Sequence, residues 1–214
     1  MKLQLIRSFL FSLFGLSIFF APVAALADPS LTEAARVGDL ETVKKMVDSG
    51  SDIDAQNDRG YSALIHASSY GHAHIVAYLL SKGAKVNLAT GGGATAVQAA
   101  AALGDLPIVK MLYAKGSDIN THNDSSNAAV LWAAMNGHAD VVAFLIENGT
   151  RLDLKNVKGL TALHLAASGG RAAAVRALLA GGADASVKDI DGETPLDWAV
   201  KRNHSEVVEI LSAF

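Results

Sequence analysis

Residues 159–170 read Gly159-Leu-Thr-Ala-Leu-His-Leu-Ala-Ala-Ser-Gly-Gly170. Counting 33 residues towards the N-terminus from Gly170 gives Gly137, then Gly104, Gly71 and Gly38. A second ladder at the same spacing runs Gly50, Gly83, Gly116, Gly149 and Gly182. A third runs Gly60, Gly93, Ser126, Gly159 and Gly192. Three ladders with one period mark an internal repeat, and a period of 20–50 residues signals a solenoid or array.

The repeated unit has a fixed internal grammar. The repeats fill one domain, 28–214; in the first unit, about 30–56, residues 31–38 end in Gly38 and form a short helix. Asp39 then caps a second helix, whose Leu40, Val43, Met46 and Val47 fall on one stripe. Gly50 stands where a left-handed C-cap is wanted. Five further units span about 57–89, 90–122, 123–155, 156–188 and 189–214. Each opens with a turn, follows with an alanine-rich helix, and ends with a helix carrying Leu79, Leu112, Leu145, Leu178 or Leu211 in one register. Pro107 falls in the first turn of its helix, where a missing N–H costs little. Two short helices bury one face each, so neighbouring units must cover the rest, and stability comes from stacking.

The first 27 residues differ. Lys2 and Arg7 precede an apolar run, Pro22 breaks it, and Ala25-Leu26-Ala27 places small residues before Asp28. That is the anatomy of a cleaved secretory signal peptide, 1–27, with a second cleavage point after Ala25. The rival is an uncleaved anchor, since the uncharged run from Ser8 to Ala27 is about long enough to span a bilayer. Cleavage leaves 16 Lys and Arg against 21 Asp and Glu, a net of −5. An acidic body has no electrostatic reason to hold nucleic acid or an anionic membrane surface. There is no cysteine, hence no disulfide and no thiol chemistry. Half of the chain is hydrophobic but only 6% of it is aromatic, a mix suited to closely stacked small helices.

These features resemble the ankyrin-repeat family. Its Thr-Pro-Leu-His signature appears as Thr161-Ala162-Leu163-His164 and Thr194-Pro195-Leu196-Asp197. Its Ala-Ala pair appears as Ala34-Ala35, Ala100-Ala101, Ala133-Ala134 and Ala166-Ala167. Its Gly-His turn appears as Gly71-His72 and Gly137-His138, and its Gly-Ala-Asp ending as Gly182-Ala183-Asp184. Departures include Ile65, Gln98 and Leu131 at the signature histidine, and Gly91-Gly92-Gly93 opening unit three, expected to be the most mobile turn. The resemblance implies an all-α ankyrin-repeat solenoid of stacked helix-turn-helix units, with projecting β-hairpin-like loops and a concave groove. Family members usually bind other proteins and are not enzymes. With the leader, the chain resembles exported, periplasmic ankyrin-repeat proteins of Gram-negative bacteria, some of them linked to oxidative-stress protection.

Candidate sites follow from the same register. His66, His72 and His74 are close in sequence, but His72, His138 and His204 recur at twice the period, which marks a structural position rather than a metal site. The resemblance gives His164 a hairpin-bonding role. Asp52, Asp54 and Asp58, and Asp189 with Asp191 and Gly192, lack the remaining ligands of a calcium loop. No Gly-x-Ser-x-Gly elbow or Lys-bearing phosphate loop occurs. No catalytic residue, metal or cofactor is therefore expected.

The groove is the candidate site. Turn-tip and first-helix positions carried over from the family are Arg59, Tyr61, Ser69 and Tyr70; Ala94, Ala102 and Leu103; Ser125, Asn127, Met135 and Asn136; Lys158, Leu160 and Ser168; and Asp191, Glu193, Lys201 and Arg202. Tyr61, Tyr70, Leu103, Met135 and Leu160 would form an apolar stripe mid-groove, with charges mainly at the ends; the alternative for Leu103 and Met135 is packing between units. Trp132 and Trp198 share a register that core packing explains. The expected function is an exported, monomeric protein-binding module that engages another envelope protein, periplasmic or secreted, with no nucleic-acid partner and no membrane insertion after cleavage. The alternative is a scaffold or accessory factor for an envelope enzyme.

Overall fold

A computed structural model describes residues 30–214. The signal-peptide reading of residues 1–27 lies outside the described residues. Within them the chain forms twelve helices in six pairs. The first helices of the pairs are α1 (Leu31–Val37), α3 (Ala63–Ser69), α5 (Ala96–Leu103), α7 (Ala129–Asn136), α9 (Ala162–Ser168) and α11 (Pro195–Lys201). The second helices are α2 (Leu40–Asp48), α4 (Ala73–Ser81), α6 (Leu106–Ala114), α8 (Ala139–Glu147), α10 (Ala172–Ala180) and α12 (Ser205–Leu211). First helices touch first helices of the next unit, and second helices do likewise. The result is the expected all-α stack of two helical layers.

Local chemistry sets these boundaries. The hydroxyl of Ser62 accepts from the Ile65 N–H at 3.3 Å, and the carboxylates of Asp39 and Asp105 accept from the N–H groups of Thr42 and Ile108, each at 3.0 Å. Gly38, Gly104 and Gly137 end their helices in the left-handed conformation. The core lies between the layers. Ala34, Ala35, Ala100, Ala101, Ala133, Ala134, Ala166 and Ala167 are buried, as are Leu79, Leu112, Leu145 and Leu178. Alanine at these positions lets first helices approach closely, while leucine fills the space beneath the second helices.

A polar ladder ties the loops together. Asn57, Asn123, Asn156 and Asp189 each open a turn by accepting two backbone N–H groups, two and four residues on, on one side-chain oxygen. Antiparallel bridges Gln56–Ser62, Ala89–Thr95 and His122–Ala128 give three of the loops hairpin character. Successive tips are joined by Gly91 N–H to Arg59 O, Asp124 N–H to Gly92 O, Val157 N–H to Ser125 O and Ile190 N–H to Lys158 O, at 2.9–3.3 Å. The triple glycine of unit three is part of this ladder. A β-carbon at Gly60 would lie 2.5 Å from Gly91 N, so the tips can approach this closely only with glycine there.

Candidate protein-binding face

The recurrent histidines hold unit to unit. His72 Nε2 lies 3.1 Å from Arg36 O, His138 Nε2 3.1 Å from Ala102 O, and His204 Nε2 3.0 Å from Ser168 O. Each ring sits against the turn glycine of the unit before. A β-carbon at Gly104 would be 2.3 Å from His138 Nδ1, and one at Gly170 2.6 Å from His204 Nδ1. Arg171 takes the same place in unit five, its Nε–H donating to Met135 O at 3.3 Å.

His164 has the hairpin-bonding role. Its Nδ1 faces Thr161 Oγ1 at 2.8 Å, and its Nε2 reaches Glu193 O at 3.1 Å. Gln98 performs the same service in unit three, accepting from Thr95 N–H and donating to Thr121 O at 2.7 Å. Burial lowers the basicity of His164, against the nearby Asp189 carboxylate, which raises it.

Of the Asp residues weighed for calcium, Asp52, Asp54 and Asp189 accept hydrogen bonds from the chain itself. Asp189 Oδ1 closes its own turn and Oδ2 accepts from Trp198 Nε1–H at 2.8 Å. Asp54 Oδ1 accepts from Lys85 N–H of the next unit. Among the described residues no three His, Asp or Glu side chains converge as metal ligands would.

The concave face gathers some of the expected residues and not others. Arg59, Tyr61, Ser69 and Tyr70 do meet, around a cavity of about 600 Å³ between the first two units. Four further residues complete its wall: Glu33, Arg36, Asn57 and His66. The imidazole of His66 lies between two tyrosines. It stacks on Tyr61 with ring centroids 4.7 Å apart, and the Tyr70 ring lies tilted at 6.2 Å. Tyr70 also stacks at 6.3 Å on His72 and carries the Arg36 guanidinium 5.9 Å above its ring. Arg36 in turn donates two hydrogen bonds to Glu33, at 2.8 and 2.6 Å. That pairing holds the Glu33 carboxyl below its ordinary range. Burial, and secondarily the Arg36 charge, holds His66 below the usual histidine range, against Glu33, so its ring is neutral at pH 7.

The continuous apolar stripe is a correction. Leu160 is only 7% exposed. Its N–H and C=O close the hairpin on Asn156, and the side chain is buried beneath that turn. Tyr61 and Met135 are half-buried. Only Tyr70 (53%) and Leu103 (47%) of the five reach well into solvent, and Leu103 leans over Gly71. At the far end, Lys201 pairs with Glu193, and Arg202 lies 5.6 Å over the Trp198 ring. Asn136 donates to Ala102 O at 2.7 Å, Asn127 is half-buried in its turn, and Lys158 is exposed. Trp132 and Trp198 are half-buried rather than core residues.

Sequence reasoning missed Glu33, Arg36 and His66 as site residues. The signal was present in the register: Glu33, His66, Ala99, Trp132, Leu165 and Trp198 are spaced by 33, and so are Arg36, Ser69, Ala102, Met135, Ser168 and Lys201. The positions in each column repeat through the array while their chemistry varies.

No curated protein matches the chain closely enough to count as a relative. A family profile described as ankyrin repeats, in three copies, matches residues 31–123 and 130–213. The paired helices, the turn-tip ladder and the histidine and glycine pins agree with that match over nearly all of the described chain, which belongs to the ankyrin-repeat family.

Proposed function

We propose that this chain is an exported protein-binding module whose concave face takes a segment of another envelope protein. Ankyrin repeats are general protein–protein interaction modules, so a protein partner is the ordinary expectation. The leader composition supports export, to the periplasm or beyond. The observation that carries the choice of face is Tyr70, an aromatic 53% exposed at the end of a packed helix, beside a cavity walled by arginine, histidine and a second tyrosine. Exposed tyrosine and arginine beside a preformed concavity are the residues that dominate protein interfaces. No helix among the described residues is long and apolar enough to cross a membrane.

The test is capture from the envelope by the wild-type chain and by a Tyr61→Asp, Tyr70→Asp variant. Leu160 is left alone, since a charge at that buried position would unfold the unit. Loss of a specific captured protein, with helicity unchanged, supports the reading. Equal capture of the same protein by both chains contradicts it.

A further inference from the structure

The cavity between units one and two has more donors than acceptors. Its one carboxylate, Glu33, is already held by Arg36 through both oxygens. The guanidinium of Arg59 makes no ion pair or side-chain hydrogen bond among the described residues, although it stands on the rim of the same cavity. The wall is itself one acceptor short: His66 is 9% exposed, and its buried Nδ1 has no hydrogen-bond partner. Asn57 Nδ2, a donor, lies 3.5 Å from the other ring nitrogen, which favours the proton on Nδ1. Two guanidinium groups thus face one carboxylate, in a chain where acids outnumber lysine and arginine by 21 to 18. A local cationic excess inside an aromatic-walled concavity focuses its field on an arriving anion.

We propose that this cavity receives a carboxylate side chain from an extended acidic segment of the protein partner, with Arg59 as its counter-ion and Tyr70 packed on the adjoining residue. The inference rests on the reading that the concave face binds protein. Arg59 has the planar donor fork that matches a carboxylate. Arg36 is held in place by Glu33 and Tyr70, so it contributes positive potential without needing to move. A lysine-bearing segment would instead meet two like charges with the only carboxylate occupied.

The test uses the purified protein and two fluorescent twelve-residue peptides of Gly, Ser and Tyr, one with a central Glu-Glu and one with Gln-Gln, read by anisotropy. The Glu peptide is expected to bind about tenfold more tightly, the scale of one charge-assisted hydrogen-bonded contact. Arg59→Gln should reduce that preference below about threefold, while Arg59→Lys keeps part of it. Arg59 is exposed at a turn tip, and circular dichroism would verify that both variants keep their helices. Equal binding of the two peptides, or a preference untouched by Arg59→Gln, overturns the proposal. If both peptides bind alike and both are lost in Tyr70→Asp, the acidic preference falls while the groove reading stands. If neither binds, the acidic cavity is overturned, and the envelope capture experiment still decides the groove reading by itself.

Discussion

The ring of His66 stacks on that of Tyr61 with centroids 4.7 Å apart and planes 13° from parallel. This pair joins the start of the second unit to the middle of its first helix and lines the cavity. In the other units the position of His66 is held by Glu33, Ala99, Trp132, Leu165 or Trp198, so the chemistry of this face varies along the stack.

His164 bridges two units by bonding Glu193 O, and Gln98, at the same position two units earlier, caps its helix in the same way and donates to the backbone of the following hairpin at Thr121 O. His164→Gln is therefore expected to stay within about 1 kcal/mol of wild type, because an amide accepts through its oxygen and donates through its nitrogen, as the two ring nitrogens do here. His164→Ala leaves buried groups unpaired and should cost about 2–3 kcal/mol. Urea denaturation of both variants checks the ordering.

The same histidine gives stability a pH dependence. Burial lowers the folded-state basicity of His164 and His66 below the ordinary value of 6.5. Above pH about 6.5 both states are neutral and the full contribution is present. As pH falls below 6.5, the unfolded chain takes up protons first, and stability drops until the folded-state value is passed. His164→Gln should make this decline shallower, measured as the melting temperature between pH 7 and pH 5. An unchanged slope would contradict the buried, neutral assignment.

Two glycines with nearly the same backbone separate steric from conformational cost. Gly104 (φ +81) lies beneath His138, where an added β-carbon would come within 2.3 Å of Nδ1. Gly116 (φ +84) has open space around it. Gly116→Ala should cost about 1 kcal/mol, the penalty of the left-handed conformation. Gly104→Ala should cost about 3 kcal/mol or more, since His138 must also leave its bond to Ala102 O. Equal costs would show that the histidine pin is energetically idle.

Ser126 occupies the turn position held by glycine in the other repeats and has φ +59. Ser126→Gly relieves the strain of that conformation and should stabilise the protein by about 0.5–1 kcal/mol. Thermal melting monitored at 222 nm would detect the upward shift.

Much of the architecture was legible because it repeats. The turn glycines and the leucine register recur at a spacing that stacked helix pairs satisfy, and the structure places them, with the Asp39 cap, as read. The concave face was legible only in part. Arg59, Tyr61, Ser69 and Tyr70 are found because the family resemblance carries its turn-tip and first-helix-end positions onto them. Leu160 was misjudged because its position in the unit is held by Tyr61, Ala94, Asn127 and Glu193 elsewhere, and residue type alone does not show which side chain tucks under its hairpin. Trp132 and Trp198 were assigned to the core by size, yet their register is that of His66, on the wall of the cavity. Periodicity reveals which residues form a column; the contacts made by each depend on its neighbours in the adjoining units.

The proposed partner would be bound at the concave face beside Tyr70. The most direct measurement is photo-crosslinking in the intact envelope from a benzoylphenylalanine placed at position 70, with position 113 as the control. Tyr113 lies on the outer helix α6, 37% exposed and edge-on to Phe144. A discrete crosslinked partner is expected from position 70, absent from position 113 and weakened by Arg59→Gln. The same adduct from position 113, with none from position 70, would contradict that placement.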